Sequence, residues 1–138
     1  MSLYKTSAHY SEEFLTLHKD KIFLFGDNLR GVGKGGQAVI RDMRNALGVP
    51  TKHTPTNEPD AFFYEHNFSS YILKVVTDLE YVKRVADGRD IVVPFDNAGN
   101  ISLGLGLSAL DKNSPTTYQL ICTYLESLAD KHGGWEYL

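Results

Sequence analysis

The segment Lys21–Arg44, KIFLFGDNLRGVGKGGQAVIRDMR, narrows the folds open to this chain more than any other stretch. Its apolar start, Lys21–Phe25, is too brief for a helix, and one isoleucine with two phenylalanines suits a strand buried on both faces. The run stops at Gly26-Asp27-Asn28. Between Gly26 and Gly36 stand five glycines and Lys34, and Gln37–Leu47 then reads as a helix stopped by Gly48. Strand, glycine-rich loop, helix is the order in which an α/β protein brings main-chain N–H groups to a phosphate.

The remaining elements alternate in the same way. Ser11-Glu12-Glu13 caps a short helix through about His18. Val49-Pro50-Thr51 begins a further strand, and Pro50 fits an edge or an irregular start. Residues 52–60 carry two prolines among polar groups and form a loop. From Ser69 to Asp87 the apolar positions Ile72, Val75, Val76, Leu79, Val82 and Ala86 have helical spacing, with a strand near Tyr71–Val76 as the alternative. Asp90–Phe95 is a second buried strand, followed by a long loop, Asp96–Gly106. Ser114 and Pro115 open a last helix with an apolar stripe from Tyr118 to Leu128, stopped by Gly133-Gly134. Trp135–Leu138 is a terminal strand or a docked tail. Strands alternating with helices imply one α/β domain, residues 1–138, with a mixed, mostly parallel sheet.

Composition removes several function classes. With 42% hydrophobic and 22% charged residues the chain can bury an ordinary core. No apolar run approaches the ~20 residues of a membrane span, and the N-terminus lacks the pattern of a signal peptide. The single cysteine, Cys122, fits a reducing compartment and a packing role, so a cytoplasmic location is expected. A net charge of −3 gives no support for a nucleic-acid partner. His9, His18, His53, His66 and His132 show no metal-ligand spacing, so neither a metal nor a cofactor is expected. The oligomeric state is left open.

The first loop formally matches G-x-G-x-x-G at Gly31–Gly36, but five residues separate its first glycine from the strand, unlike a dinucleotide fingerprint. A Walker A loop fails too, because Gly35 stands where a magnesium-binding hydroxyl belongs. A general anion cradle survives. Gly33, Gly35 and Gly36 leave amides bare, Lys34 adds a mobile charge, and a helix from Gln37 adds its positive end. Asp27 and Asn28 lie at the strand end, where ligands bind in open sheets. The alternative is a tight connection in which Asp27 and Asn28 cap turns. In the second loop Asp96, Ser102, Gly104, Leu105 and Gly106 suit a bend whose amides and hydroxyl face an anion, or a bend that only shields the sheet edge. Arg41 can reach a phosphate or serve in a structural ion pair, and Lys52 is a second cation.

The two loops together resemble the macrodomain family, through Asn28 before Gly35-Gly36 and through Pro94 with Ser102–Gly106. The pattern Gly26-Asp27-Asn28, Gly33–Ala38, Arg41, Asn45-Ala46, Gly48 and Pro50-Thr51-Lys52 is closer to small uncharacterised phage and bacterial proteins. The macrodomain resemblance implies a three-layer α/β/α fold with ADP-ribose, or a related nucleotide, in a cleft. Asp27 would contact adenine or ribose, and the two glycine-rich loops would wrap the diphosphate. Asn28 would orient a water for hydrolysis of an ADP-ribosyl ester or ADP-ribose 1″-phosphate. The competing expectations are a non-catalytic nucleotide-binding module and a phage or bacterial interaction protein whose glycine loops are structural.

Overall fold

The computed structural model describes residues 1–138 and holds five strands. In chain order these are β1 (Leu3–Thr6), β2 (Lys21–Asn28), β3 (Ala46–Lys52), β4 (Asp90–Pro94) and β5 (Trp135–Tyr137). The helices are α1 (Glu12–Leu17), α2 (Ile72–Ala86), the single turn α3 (Leu110–Asn113) and α4 (Pro115–Lys131). The sheet order is β3-β2-β4-β1-β5, and every pair is parallel, where the sequence left room for antiparallel neighbours.

Strand composition explains the layering. Ile22 and Leu24 of β2, with Ile91 and Val93 of β4, pack under α2 and α4 in the larger core. Phe23, Phe25 and Val92, the alternate positions, pack with Leu15 of α1 and with Ala38 and Ile40. Both faces of the central strands are therefore covered, which makes a three-layer α/β/α domain. The connections β1→β2 and β2→β3 run on the α1 side, while β3→β4 and β4→β5 run on the α2/α4 side. At the carboxyl ends of the neighbouring strands β1 and β4 the chain thus leaves in opposite directions. That divergence opens a crevice.

α2 and α4 form where their apolar spacing places them, with Val75, Leu79 and Val82 on one buried stripe and Ile121, Leu125 and Leu128 on the other. Ser11 caps α1 by accepting a hydrogen bond from the Phe14 amide. One expectation fails. No α-helix spans 37–47: Gly36–Ile40 forms a 3₁₀ segment, residues 41–45 turn, and β3 already begins at Ala46. Gly48 is not a helix stop but lies within β3 opposite Phe25, where a Cβ would stand 2.5 Å from Asp27 Oδ2. The carboxamide of Asn45 is drawn inward to donate to the carbonyls of Leu15 and His18, which a surface helix would not allow. The positive helix end foreseen at Gln37 is accordingly missing. β1, where the sequence predicts no element, is four residues that lie inside the sheet between β4 and β5. Pro50 does mark an edge strand, as β3 has only β2 beside it.

Candidate functional site

The crevice at the strand ends encloses about 440 Å³, inside the ~300–1,000 Å³ range of small-molecule sites. Three segments wall it: Ser7–Tyr10 after β1, Gly36 and Gln37 after β2, and Pro94 at the end of β4 with Phe95–Asn97 and Ser102 beyond it. Of the residues singled out in the sequence, Gly36, Gln37, Asp96 and Ser102 come together here. Gly36 has φ +57° and no atom within 4 Å of where a Cβ would stand, so its surface is open.

Gln37 joins the two loops. The Gly26 amide donates to its Oε1 at 3.0 Å, and its Nε2 donates to Ser102 Oγ at 3.0 Å. Leu103 beside Ser102 is fully buried, so the bend is anchored in the core while its hydroxyl faces the crevice. Asp96 spends its carboxylate on its own turn, accepting from the amides of Ala98 at 3.0 Å and Asn100 at 2.8 Å. The bonds from Asn100 hold its pKa below the usual carboxylate value. Tyr10 is half-buried with its hydroxyl enclosed, donating to the Leu24 carbonyl at 2.7 Å, and burial of that hydroxyl pushes its pKa well up. Neither group is placed as a general base.

The other sequence candidates lie elsewhere. Asp27 pairs with Arg41, Nη2 to Oδ1 at 2.6 Å, with both side chains largely covered. Arg41 also donates through Nε to the Gly33 carbonyl at 2.7 Å and stacks over Phe25. Of its two sequence readings, the structural ion pair is the one seen. Asn28 is buried, its Nδ2 donates to the Val32 carbonyl at 2.7 Å, and its Oδ1 accepts from the Arg30 amide. This is the turn-capping alternative. Lys34 is exposed and paired with Asp42, which raises its pKa. Lys52 is buried, donates to the Thr56 carbonyl at 2.6 Å and lies over the Phe62 ring. Burial lowers its pKa. Gly33 seats Pro55, and Gly104, at φ +83°, leaves room for Leu110. Gly35 and Gly106 are open, and Leu105 follows on the same bend.

No lysine or arginine lines the crevice. The segment missed in the sequence is Ser7–Tyr10, whose only signal was its place after β1. A larger open groove, about 920 Å³, runs along α4 beside Glu80 and Lys83 of α2, but no strand-end loop reaches it.

The fold and the crevice define a parallel α/β domain with a strand-end pocket lined by hydrogen-bonding groups, Asp96 and His9 among them, and by no lysine or arginine. The chain belongs to a family of unknown function, DUF7831, whose model matches residues 5–124. Comparison with curated proteins and with solved structures returns no match. No helix is long and apolar enough to cross a membrane.

Proposed function

We propose that this protein is a binding module for a nucleotide of the ADP-ribose class, held in the crevice at the ends of β1, β2 and β4. The observation that carries the proposal is the meeting of Gly36-Gln37 and Ser102, from two separate loops, on one open hollow where the chain directions diverge. The amides of Gly36 and Gln37 have no acceptor within the chain, so donors remain for an oxygen-rich guest.

Binding without hydrolysis is the form we favour. The Asn28 carboxamide is engaged on both sides by its own loop, and the Tyr10 hydroxyl and the Asp96 carboxylate of the crevice are held in hydrogen bonds, which leaves His9 as the one titratable lining side chain without a hydrogen-bond partner. A cytoplasmic setting accords with Cys122, a half-buried lone thiol whose pKa burial raises. Calorimetry with ADP-ribose, NAD and ATP tests the proposal. Heat with ADP-ribose that weakens on Gly36→Val is the expected result. Silence at millimolar ligand supports the second reading, an interaction protein, which the packing of Gly33 on Pro55 and of Gly104 on Leu110 favours. Turnover of ADP-ribose 1″-phosphate that falls on Asn28→Ala would restore the hydrolase.

A further inference from the structure

A directed chain of hydrogen bonds ends in the crevice. The Gly26 main-chain N–H can only donate, so the Gln37 oxygen must face it, at 3.0 Å. The Gln37 Nε2 is then fixed on the far side, where it donates to Ser102 Oγ at 3.0 Å. Ser102 Oγ is thereby an acceptor toward Gln37, and the hydroxyl makes no other hydrogen bond within the chain. Its own proton is left for the crevice that it lines. Each link polarises the next in the same sense, which strengthens the terminal donor.

We infer that Ser102 is the donor by which the crevice selects a ligand presenting an anionic acceptor oxygen, phosphoryl or carboxylate, and that Gln37 is the positioning residue that aims it. The inference rests on the ligand site proposed above and adds the recognition chemistry. Lys34, Arg41 and Lys52 all have partners away from the crevice, so no lysine or arginine meets the oxygen, and Asp96, the one carboxylate of the lining, is taken up by the amides of Ala98 and Asn100. Gln37 makes this donor directional. Without it the Ser102 hydroxyl can rotate, and its lone pairs can face the guest.

Titration calorimetry with two probes, ADP-ribose and ribose 5-phosphate, tests this on the wild type and on Ser102→Ala, Ser102→Thr, Gln37→Met and the double variant Gln37→Met/Ser102→Ala. Losing a hydrogen bond to a charged oxygen is worth about tenfold or more in affinity, so Ser102→Ala should bind at least that much more weakly. Ser102→Thr keeps the hydroxyl and should recover most of the affinity that Ser102→Ala loses. Gln37→Met should weaken binding too, and the double variant should be no weaker than Ser102→Ala, because Gln37 acts through Ser102. A merely structural Gln37 would give additive losses instead, and that result overturns its assigned role. Should Gln37→Met not fold, the Ser102 pair still decides. Equal affinity of wild type and Ser102→Ala for ADP-ribose overturns the inference and leaves the nucleotide site standing. Binding of ribose 5-phosphate but not ADP-ribose, lost on Ser102→Ala, overturns the nucleotide proposal and upholds the donor. No binding of either probe overturns both.

Discussion

Removing Arg41 separates a ligand-binding arginine from a structural one. Its Nη2 lies 2.6 Å from Asp27 Oδ1, and the two side chains are only 15% and 16% exposed. Arg41→Ala would leave the Asp27 carboxylate covered, with the Asn28 amide on Oδ1 and the Gly48 main chain against Oδ2. Stranding one member of a buried pair costs about 3–5 kcal/mol, and the partial exposure argues for the lower end, about 3 kcal/mol. The donations to the Gly33 and Val32 carbonyls and the stacking over Phe25 are lost as well. These bring the expected total to about 4 kcal/mol. Asp27→Asn should cost less, about 1–2 kcal/mol, since Arg41 keeps its two carbonyl acceptors and stays partly solvated. Urea unfolding of the wild type, both single variants and the double variant gives the coupling energy, expected to be at least about 1.5 kcal/mol. The structural assignment is refuted if Arg41→Ala unfolds within about 1 kcal/mol of the wild type while ADP-ribose binding disappears.

Three further outcomes follow from the geometry. Gly104→Ala places a Cβ 2.7 Å from Leu110 Cδ2 at φ +83°, so strain and overpacking together should cost about 2–4 kcal/mol by urea unfolding. Lys52 has its pKa lowered by burial, so the folded chain sheds that proton before the unfolded chain does. Stability should therefore rise with pH between the lowered folded value and the ordinary ~10.4, and Lys52→Met should lack that alkaline gain in urea melts from pH 7.5 upward. Asp96 has the same sense in the acid range, from a different cause, since hydrogen bonds to the charged carboxylate lower its folded pKa. Its contribution is complete above the ordinary ~3.9 and lost as pH falls through the folded value. Asp96→Asn should flatten the acid limb of the stability profile.

What could be seen in the sequence depended on how many residues carried each signal. β2, β4, α2 and α4 were legible because each presents several apolar side chains at the period of its own structure. β1 was not: LYKT is four residues, and only its two neighbours in the sheet make it a strand. The segment after Gly36 misled because Ala38, Ile40, Met43 and Leu47 can be laid on a helix. Tertiary contacts decided otherwise, through the inward turn of Asn45 and the closeness of Gly48 to Asp27. The crevice was half legible for the same reason. Gly36, Gln37, Asp96 and Ser102 follow strands that could be read, while Ser7–Tyr10 follows the one that could not.

The glycines sort into two kinds, and the sorting bears on what the loops are for. Gly33, Gly48 and Gly104 are required by neighbours, Pro55, Asp27 and Leu110 in turn. Gly35, Gly36 and Gly106 have nothing within 4 Å of a Cβ position, so packing does not account for them. Gly36 and Gly106 also hold positive φ, which alone can account for a glycine, but Gly35 at φ −77° has neither reason. A residue free of both constraints, next to the open wall of the crevice, is where close approach of a guest remains as a physical reason for a missing side chain. Gly35→Ala should accordingly leave urea stability within about 0.5 kcal/mol of the wild type. If it also leaves ADP-ribose affinity unchanged, close approach at Gly35 is ruled out and the glycine run after β2 is left to its turns.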